Sequence, residues 1–486
     1  MNKELSMKKP PYLMIAVLFV GAFVAFLNNT LMNVALPTIL EDFQVTYATV
    51  QWLSNGYMLI SGVLIPASAF FILRFNTKPL FIFATSIFAL GTLLAAISPN
   101  FGTLLAGRMI QAAGSSVMAP LLMNVMLISF PVEKRGTAMG FFGLIMMAAP
   151  AIGPTLSGYI VEHYNWRMLF TMILPFAVIS ILLGIWKLEN VLPTRKISLD
   201  YLSVLLSTIG FGALLYGFST AGNVGWTKPV IIVSILVGVI SVVLFVIRQL
   251  KLDEPFLSME IFKAPAYSLA AIFNTVMAMG LIGGMILTPA YLQSVRHIEP
   301  LDSGLIMLPG ALVMAFMSPI TGRLFDKFGP RILAIIGLSI MTVTTFLLAQ
   351  LSMESSIFYI ISVFTIRTLG MSLVMMPIMT NGLNALAPRL NPHGTAANNT
   401  IQQIAGSIGT AVLIAIMNSK SIAVGESMTA EAMKKGISLT EQDVATISQL
   451  ALLEGINLSF LVATGFTVIT LILSFFIKRV TQPQIK

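Results

Sequence analysis

Long apolar runs separated by short polar breaks fill almost the whole chain. Reading each run between charged or Pro/Gly-rich breaks predicts fourteen spans, near residues 12–36, 49–72, 79–98, 102–128, 136–161, 166–186, 201–220, 228–247, 267–291, 303–321, 332–351, 356–378, 399–418 and 456–477. Each holds roughly the 20 apolar residues that a helix needs to cross a hydrocarbon layer of about 30 Å. The alternation of a barrel strand, apolar at every second residue over about 10 residues, is nowhere visible. The expected fold class is therefore an all-α membrane protein in contact with the lipid bilayer. The first run is too long for a signal-peptide core and should remain as an anchor.

The breaks then decide orientation. Most of the 28 Lys and Arg residues fall in the segments on the N-terminal side of the membrane, such as Lys8, Lys9, Arg74, Lys78, Lys134, Arg135, Arg195, Lys196, Lys478 and Arg479. Basic residues collect in cytoplasmic connections, so both termini are expected to be cytoplasmic. The same bias gives the net charge of +9 a membrane meaning and speaks against nucleic acid as a partner. The connection 419–455 is read as a long outer loop, in which Thr440 and Asp443 stand at capping-box spacing ahead of a short amphipathic helix.

Composition agrees, with 57% hydrophobic and 10% charged residues in a chain of 486. Absence of cysteine excludes disulfides and thiolate metal centres. The three histidines (His163, His297 and His393) sit in separate polar connections, so neither a metal site nor a cofactor is expected. The absence of a Walker-type loop argues against direct use of ATP.

The two ends of the chain repeat one another. Gly136-Thr137-Ala138 answers to Gly394-Thr395-Ala396, Arg108 in span 4 to Arg367 in span 12, and the segment 74–78 to 327–331. Internal repeats are common among transporters. They divide the chain into a six-helix bundle over 12–186, an inserted pair of helices within 187–250, and a second six-helix bundle over 267–477 that includes the loop 419–455.

Within the spans, polar residues are few. All 19 acidic residues fall in connections or at span ends, leaving Arg108 and Arg367 as the intramembrane charges. Such charges mark function or a buried hydrogen-bond hub. The amides Asn28, Asn33, Asn55, Gln111, Asn124, Gln402 and Gln403 either bond between helices or line a polar cavity. Met146 is one of 30 methionines, flexible side chains suited both to packing and to varied apolar ligands.

Several motifs resemble those of the major facilitator superfamily, and specifically its fourteen-helix drug:H+ antiporter branch, with wording similar to lincomycin-resistance-type exporters. Gly140, Ala149, Gly153-Pro154 and Ser157-Gly158 follow the branch's antiporter motif, with Ala and Ser replacing two glycines. Arg108, Gln111, Gly114 and Pro120 are similar to its second motif. The loop Gly322-Arg323-Leu324-Phe325-Asp326-Lys327-Phe328-Gly329-Pro330-Arg331 resembles the superfamily loop motif, whose N-terminal counterpart departs from it at Leu73 and Asn76. Span 1 ends Asn28 to Pro37, with Asn28 where relatives carry Asp.

The resemblance implies two six-helix bundles plus two inserted helices, and a secondary exporter that exchanges small amphiphilic drugs for protons. It implies a bacterial cytoplasmic membrane, no enzyme chemistry and a monomer. A bent span 5 would pack on span 10, and Asp326 would clasp a helix N-terminus beside an arginine, holding the cytoplasmic side shut. With Asn28 unable to carry a proton, the coupling candidates are Arg108, Arg367, Asp326 and the span-end acids Glu162 and Asp302. A dedicated lipid or metabolite exporter and a non-transporting scaffold or receptor stand as alternatives.

Overall fold

The computed structural model describes residues 11–435, 440–481 and 483–484. Within its helices the side chains of Asn33 and Pro154, both candidates above, lie outside the described residues. The helices are α1 (Tyr12–Phe43), α2 (Trp52–Arg74), α3 (Thr77–Ala96), α4 (Phe101–Ser129), α5 (Arg135–His163), α6 (Met168–Lys187), α7 (Tyr201–Val224) and α8 (Pro229–Gln249). They continue as α9 (Pro265–Ala290), α10 (Pro300–Phe328), α11 (Pro330–Leu348), α12 in two pieces (Ile357–Ser372 and Met375–Asn384), α13 (Asn391–Lys434) and α14 (Glu441–Ser474). Among the described residues, thirteen elements are long and apolar enough to cross a membrane, with the two pieces of α12 counted as one. The other long helix, α5, includes Pro150, Ala151 and Pro154, whose side chains are not described.

Local chemistry starts these helices where the polar breaks predict. Asn100, Asp200 and Ser356 accept the amides of Thr103, Ser203 and Tyr359 at their helix N-termini, and Pro229, Pro265 and Pro330 stand in the first turn. A cap satisfies one of four otherwise orphaned N–H groups, and Pro in the first turn has no N–H to orphan.

Helices α1–α6 pack on one another, and so do α9–α14. The two groups meet along α5 against α10 and along α2 and α4 against α13. The inserted pair lies outside: α7 rests on α2 and α13, and α8 rests mainly on α7. Arg248 on α8 donates through Nε and Nη2 to Asp200 at 2.6 and 2.7 Å, stapling the pair at one end. That hydrogen-bonded guanidinium holds the Asp200 carboxyl well below the usual carboxylate range. The free side of α8 exposes Val230, Ile232, Val233, Leu236, Val243 and Leu244, as expected of a face turned to lipid.

One expectation is corrected. The segment 419–455 is not a loop with a short helix in it: α13 runs on to Lys434 and α14 begins at Glu441. At 1.5 Å per residue, the 44 residues of α13 span about 66 Å, over twice the hydrocarbon thickness. Polar residues ended the apolar runs at 418 and 456, but the two extensions shield each other as a helical hairpin, with Gly455 set against Met417 and Ser421. The capping box of Thr440 and Asp443 is present and opens α14 itself.

Candidate functional site

A cavity of about 350 Å³ lies among α1, α2, α4, α5 and α13. Its apolar wall includes Phe26, Met118, Phe142 and Met146. Its polar wall is Asn29, Tyr57, Ser61, Ser115, Ser116, Asn399, Gln402 and Gln403, and no Asp, Glu, Lys or Arg is among its lining residues. Gln403 also donates to the Met58 carbonyl at 3.3 Å, joining α13 to α2 across the cavity rim. Such a lining offers dispersion on one side and neutral hydrogen-bonding groups on the other.

Behind the polar wall stands a buried network. Arg108 is fully buried; it donates to Gln111 Oε1 at 3.0 Å and to the Leu53 carbonyl at 3.4 Å, and lies 4.5 Å over the Tyr57 ring. Asn28 donates to the same Gln111 oxygen at 3.2 Å, and Gln111 donates to Thr92 at 2.8 Å. The Tyr57 hydroxyl and Ser115 Oγ, 2.6 Å apart, carry this network to the cavity surface. The structure therefore places Asn28, Gln111 and Arg108 one layer behind the lining. Arg108 Nη2 has no hydrogen-bond partner among the described residues.

The repeat mate of Arg108 is engaged differently. Arg367 donates to Thr345 at 3.1 Å and to the carbonyls of Gly280 and Leu281 at 3.4 and 3.3 Å, tying α12 to α11 and α9. A Cβ on Gly284 would run into this guanidinium, so glycine there lets the arginine lie flat on α9.

The end of the molecule at which α1 begins and α14 finishes, the termini end, is shut. Asp326 accepts the amides of Gly136 and Thr137 at 2.9 and 2.8 Å and the Thr137 hydroxyl at 2.6 Å. A carboxylate on the N-terminus of α5 satisfies orphan amides and faces the positive end of the helix dipole. The expected arginine beside this carboxylate is not what the structure shows: Arg479 donates to the main-chain carbonyls of Asp326 and Lys327, and Arg323 and Arg331 are exposed. The main-chain carbonyls at the end of α10 lack intrahelical donors, which draws Arg479 away from the carboxylate.

Alongside, α5 and α10 touch backbone to backbone. A Cβ on Gly322 would strike the Gly136 carbonyl, and one on Gly140 would lie 2.6 Å from the Ser318 carbonyl. Small residues permit such approach in a membrane. Further along α5, Ala149 and Ser157 bond to Thr30 and Leu31 of α1, while a Cβ on Gly158 would meet Leu301 of α10. The motif residues thus hold α5 between α1 and α10. Neither backbone can yield, so Gly322→Ala is expected to keep this end from closing and to reduce transport about tenfold or more at equal expression. Vesicle transport assays would show it, and a wild-type rate would mean that the contact is not needed in the cycle.

Of the remaining candidates, Glu162 and Asp302 are exposed at the opposite end, away from the cavity, and Asn55 is half-buried in α2. Asn124 is fully buried and bonds to Thr395 of α13 at 2.7 Å. At that opposite end, Trp166 and Arg167 each donate to Asp42 at 3.0 Å and hold its carboxyl below its ordinary range. Sequence reasoning missed Asn29, Tyr57, Ser61, Ser115, Ser116 and Asn399. The signal for Asn29 and Asn399 was present as a second amide adjoining one within reach; the hydroxyls carried none, because Ser and Tyr are common at buried and exposed positions of helices alike.

Two helical groups around an uncharged cavity, shut at one end by a carboxylate clasp, define a multi-pass membrane transporter rather than an enzyme. The chain belongs to the major facilitator superfamily, whose model matches residues 18–410. It is 45% identical to the MFS-type transporter YhcA of Bacillus subtilis over 100% of this chain and 96% of that one. It is 43% identical to the lincomycin resistance protein LmrB of the same organism over 96% of each. Its fold resembles the crystal structure of the human organic anion transporter MFSD10 (TETRAN), with a TM-score of 0.68 at 14% identity, covering 96% of this chain and 99% of that one.

Proposed function

We propose that the protein is a proton-coupled exporter of small amphiphilic drugs that works by alternating access in a bacterial cytoplasmic membrane, as a monomer with both termini inside. The observation that carries this reading is the uncharged cavity, mainly apolar with a wall of amides and hydroxyls, shut on the side where the basic connections collect. Basic segments mark the cytoplasmic side, and a cavity closed off on that side supports a cycle whose next step is release outward. The name of LmrB supports drugs as substrates. With no carboxylate in the lining, the coupling proton rides on groups at the helix ends or on the substrate itself.

The same lining sets a preference. Uncompensated charge at membrane depth is costly, so a permanent dication has no partner in this cavity, whereas a neutral, zwitterionic or weakly anionic amphiphile meets groups of its own kind. In a host lacking its own pumps, expression is expected to raise resistance to lincomycin several-fold and to leave resistance to dicationic biocides nearly unchanged. Purified protein in liposomes with an imposed pH gradient tests the coupling. Protection confined to the dications would overturn the substrate reading, and gradient-independent transport would overturn the coupling.

A further inference from the structure

The cavity does not end where its open volume ends. Along α13, Asn391, Thr395, Asn398 and Gln402 recur at spacings of four, three and four, and so share one face of the helix. On α4, Ser116, Pro120 and Asn124 recur at four. Gln402 and Ser116 line the cavity; Asn124 and Thr395 meet beneath it, at the shut end. This face of α13, which meets Asn124 of α4 at Thr395 and Asn274 of α9 at Asn398, therefore forms with α4 a stripe of amides and hydroxyls without charge, part of it in the cavity and part sealed in protein.

The sealed half is unfinished chemically. Asn391 is fully buried, and neither its Nδ2 nor its Oδ1 has a partner among the described residues. Asn124 keeps an unpaired Oδ1 although its Nδ2 donates both to Thr395 and to the Pro120 carbonyl. Asn398 accepts from Asn274 of α9 at 2.8 Å, but its own Nδ2 is unpaired. Buried donors and acceptors are nearly always paired, and each exception calls for a reason. Leucine would fill these positions at less cost to the shut state, so the reason is to be sought in the other state.

We propose that Asn124, Asn391, Thr395 and Asn398 form a second, latent hydrogen-bonding subsite, which takes the uncharged polar head of a substrate when the termini end opens. The proposal rests on the exporter reading for the direction of travel and on the geometry for the site. Opening must part Asn124 from Thr395, which frees two more groups toward the entering molecule. The head then passes along the same α13 face to Gln402, exchanging one set of neutral partners for the next. Amides donate and accept, so the subsite suits alcohol, amide and glycosidic groups, and it offers nothing to a permanent cation beyond neutral dipoles.

The chain has no cysteine, so a single Asn391→Cys thiol can be labelled without background. In vesicles that present the termini face outward, a water-soluble maleimide is expected to label it, and lincomycin is expected to slow that labelling at least threefold while a dicationic biocide does not. Absence of labelling, or labelling that lincomycin leaves unchanged, would overturn the subsite. Export of lincomycin with unslowed labelling would defeat the subsite and leave the exporter reading standing; slowed labelling without export would do the reverse. The second variant, Asn391→Leu, is expected to raise Tm by about 1–3 °C while raising the KM for lincomycin about tenfold from that face. A lower Tm with an unchanged KM would assign Asn391 to structure alone.

Discussion

Replacing Arg108 with alanine is expected to lower transport by about a hundredfold, close to 2.7 kcal/mol of barrier, while the chain still inserts and folds. Three features combine to give this result. The guanidinium is fully buried, and among the described residues no carboxylate is bonded to it. Keeping an ion from water without a counter-ion costs several kcal/mol, so its removal relieves a penalty as well as losing two hydrogen bonds and a ring contact. The void left by a long side chain costs about 2–5 kcal/mol by analogy with other large-to-alanine changes. These terms oppose each other, and the net effect on stability is small. What alanine cannot replace is the link from Gln111 and Asn28 through Tyr57 to Ser115 on the cavity surface.

Arg367→Ala is the informative contrast. That arginine is equally buried, but it makes three hydrogen bonds where Arg108 makes two, and among the described residues it leaves no buried nitrogen unpaired like Arg108 Nη2. It ties α12 to α11 and to two carbonyls of α9, so its loss should appear as reduced expression and Tm rather than as a slow cycle. Initial transport rates at equal surface expression, together with thermal unfolding of both variants, separate the two roles. A wild-type rate for Arg108→Ala would reduce Arg108 to a packing residue.

The contrast between the two arginines also shows how far the sequence could be read. Their matching positions in the repeat were legible, because an isolated charge in an apolar run is visible whatever the fold. Their different surroundings were not, since the carbonyls that receive Arg367 become neighbours only when α9 packs on α12. The span ends show the same limit. Apolar runs located the helices where lipid or apolar protein surrounds them. The first two turns of α13 are rich in Asn, Thr and Gly yet buried, because they are packed inside protein: Thr395 meets Asn124 of α4, His393 accepts the Ser258 amide, and the Gly394 carbonyl accepts the Tyr267 hydroxyl of α9. A hydropathy reading starts that span at 399, eight residues late. The clasp was more legible than the cavity: a carboxylate at the end of one helix and a Gly-Thr pair opening another are local signals, whereas a cavity wall is assembled from single residues on five helices.

That clasp gives the second large effect. Asp326→Asn keeps the shape of the side chain but surrenders its charge and one of its two acceptor oxygens. As aspartate it accepts two main-chain amides and a hydroxyl at 2.6–2.9 Å. Hydrogen bonds to a charged group contribute about 1.5–3 kcal/mol each, against about 1 kcal/mol for neutral ones, and an anion at a helix N-terminus adds about 0.3–1 kcal/mol. Loss of even 2 kcal/mol from the shut state shifts the balance toward the open one roughly thirtyfold. The variant is thus expected to dwell with the termini end open, to label faster at a cysteine placed in the seam below the cavity, and to cycle about tenfold more slowly. Leu73→Asp, made alone or with it, should not rescue the rate. Leu73 is buried, and its carbonyl already receives the Arg195 amide, so an acid there meets a covered site rather than a free helix end. Transport in vesicles and thiol labelling on the same preparations decide the matter: a wild-type rate with unchanged labelling for Asp326→Asn would show that backbone contact between α5 and α10 closes this end without the carboxylate.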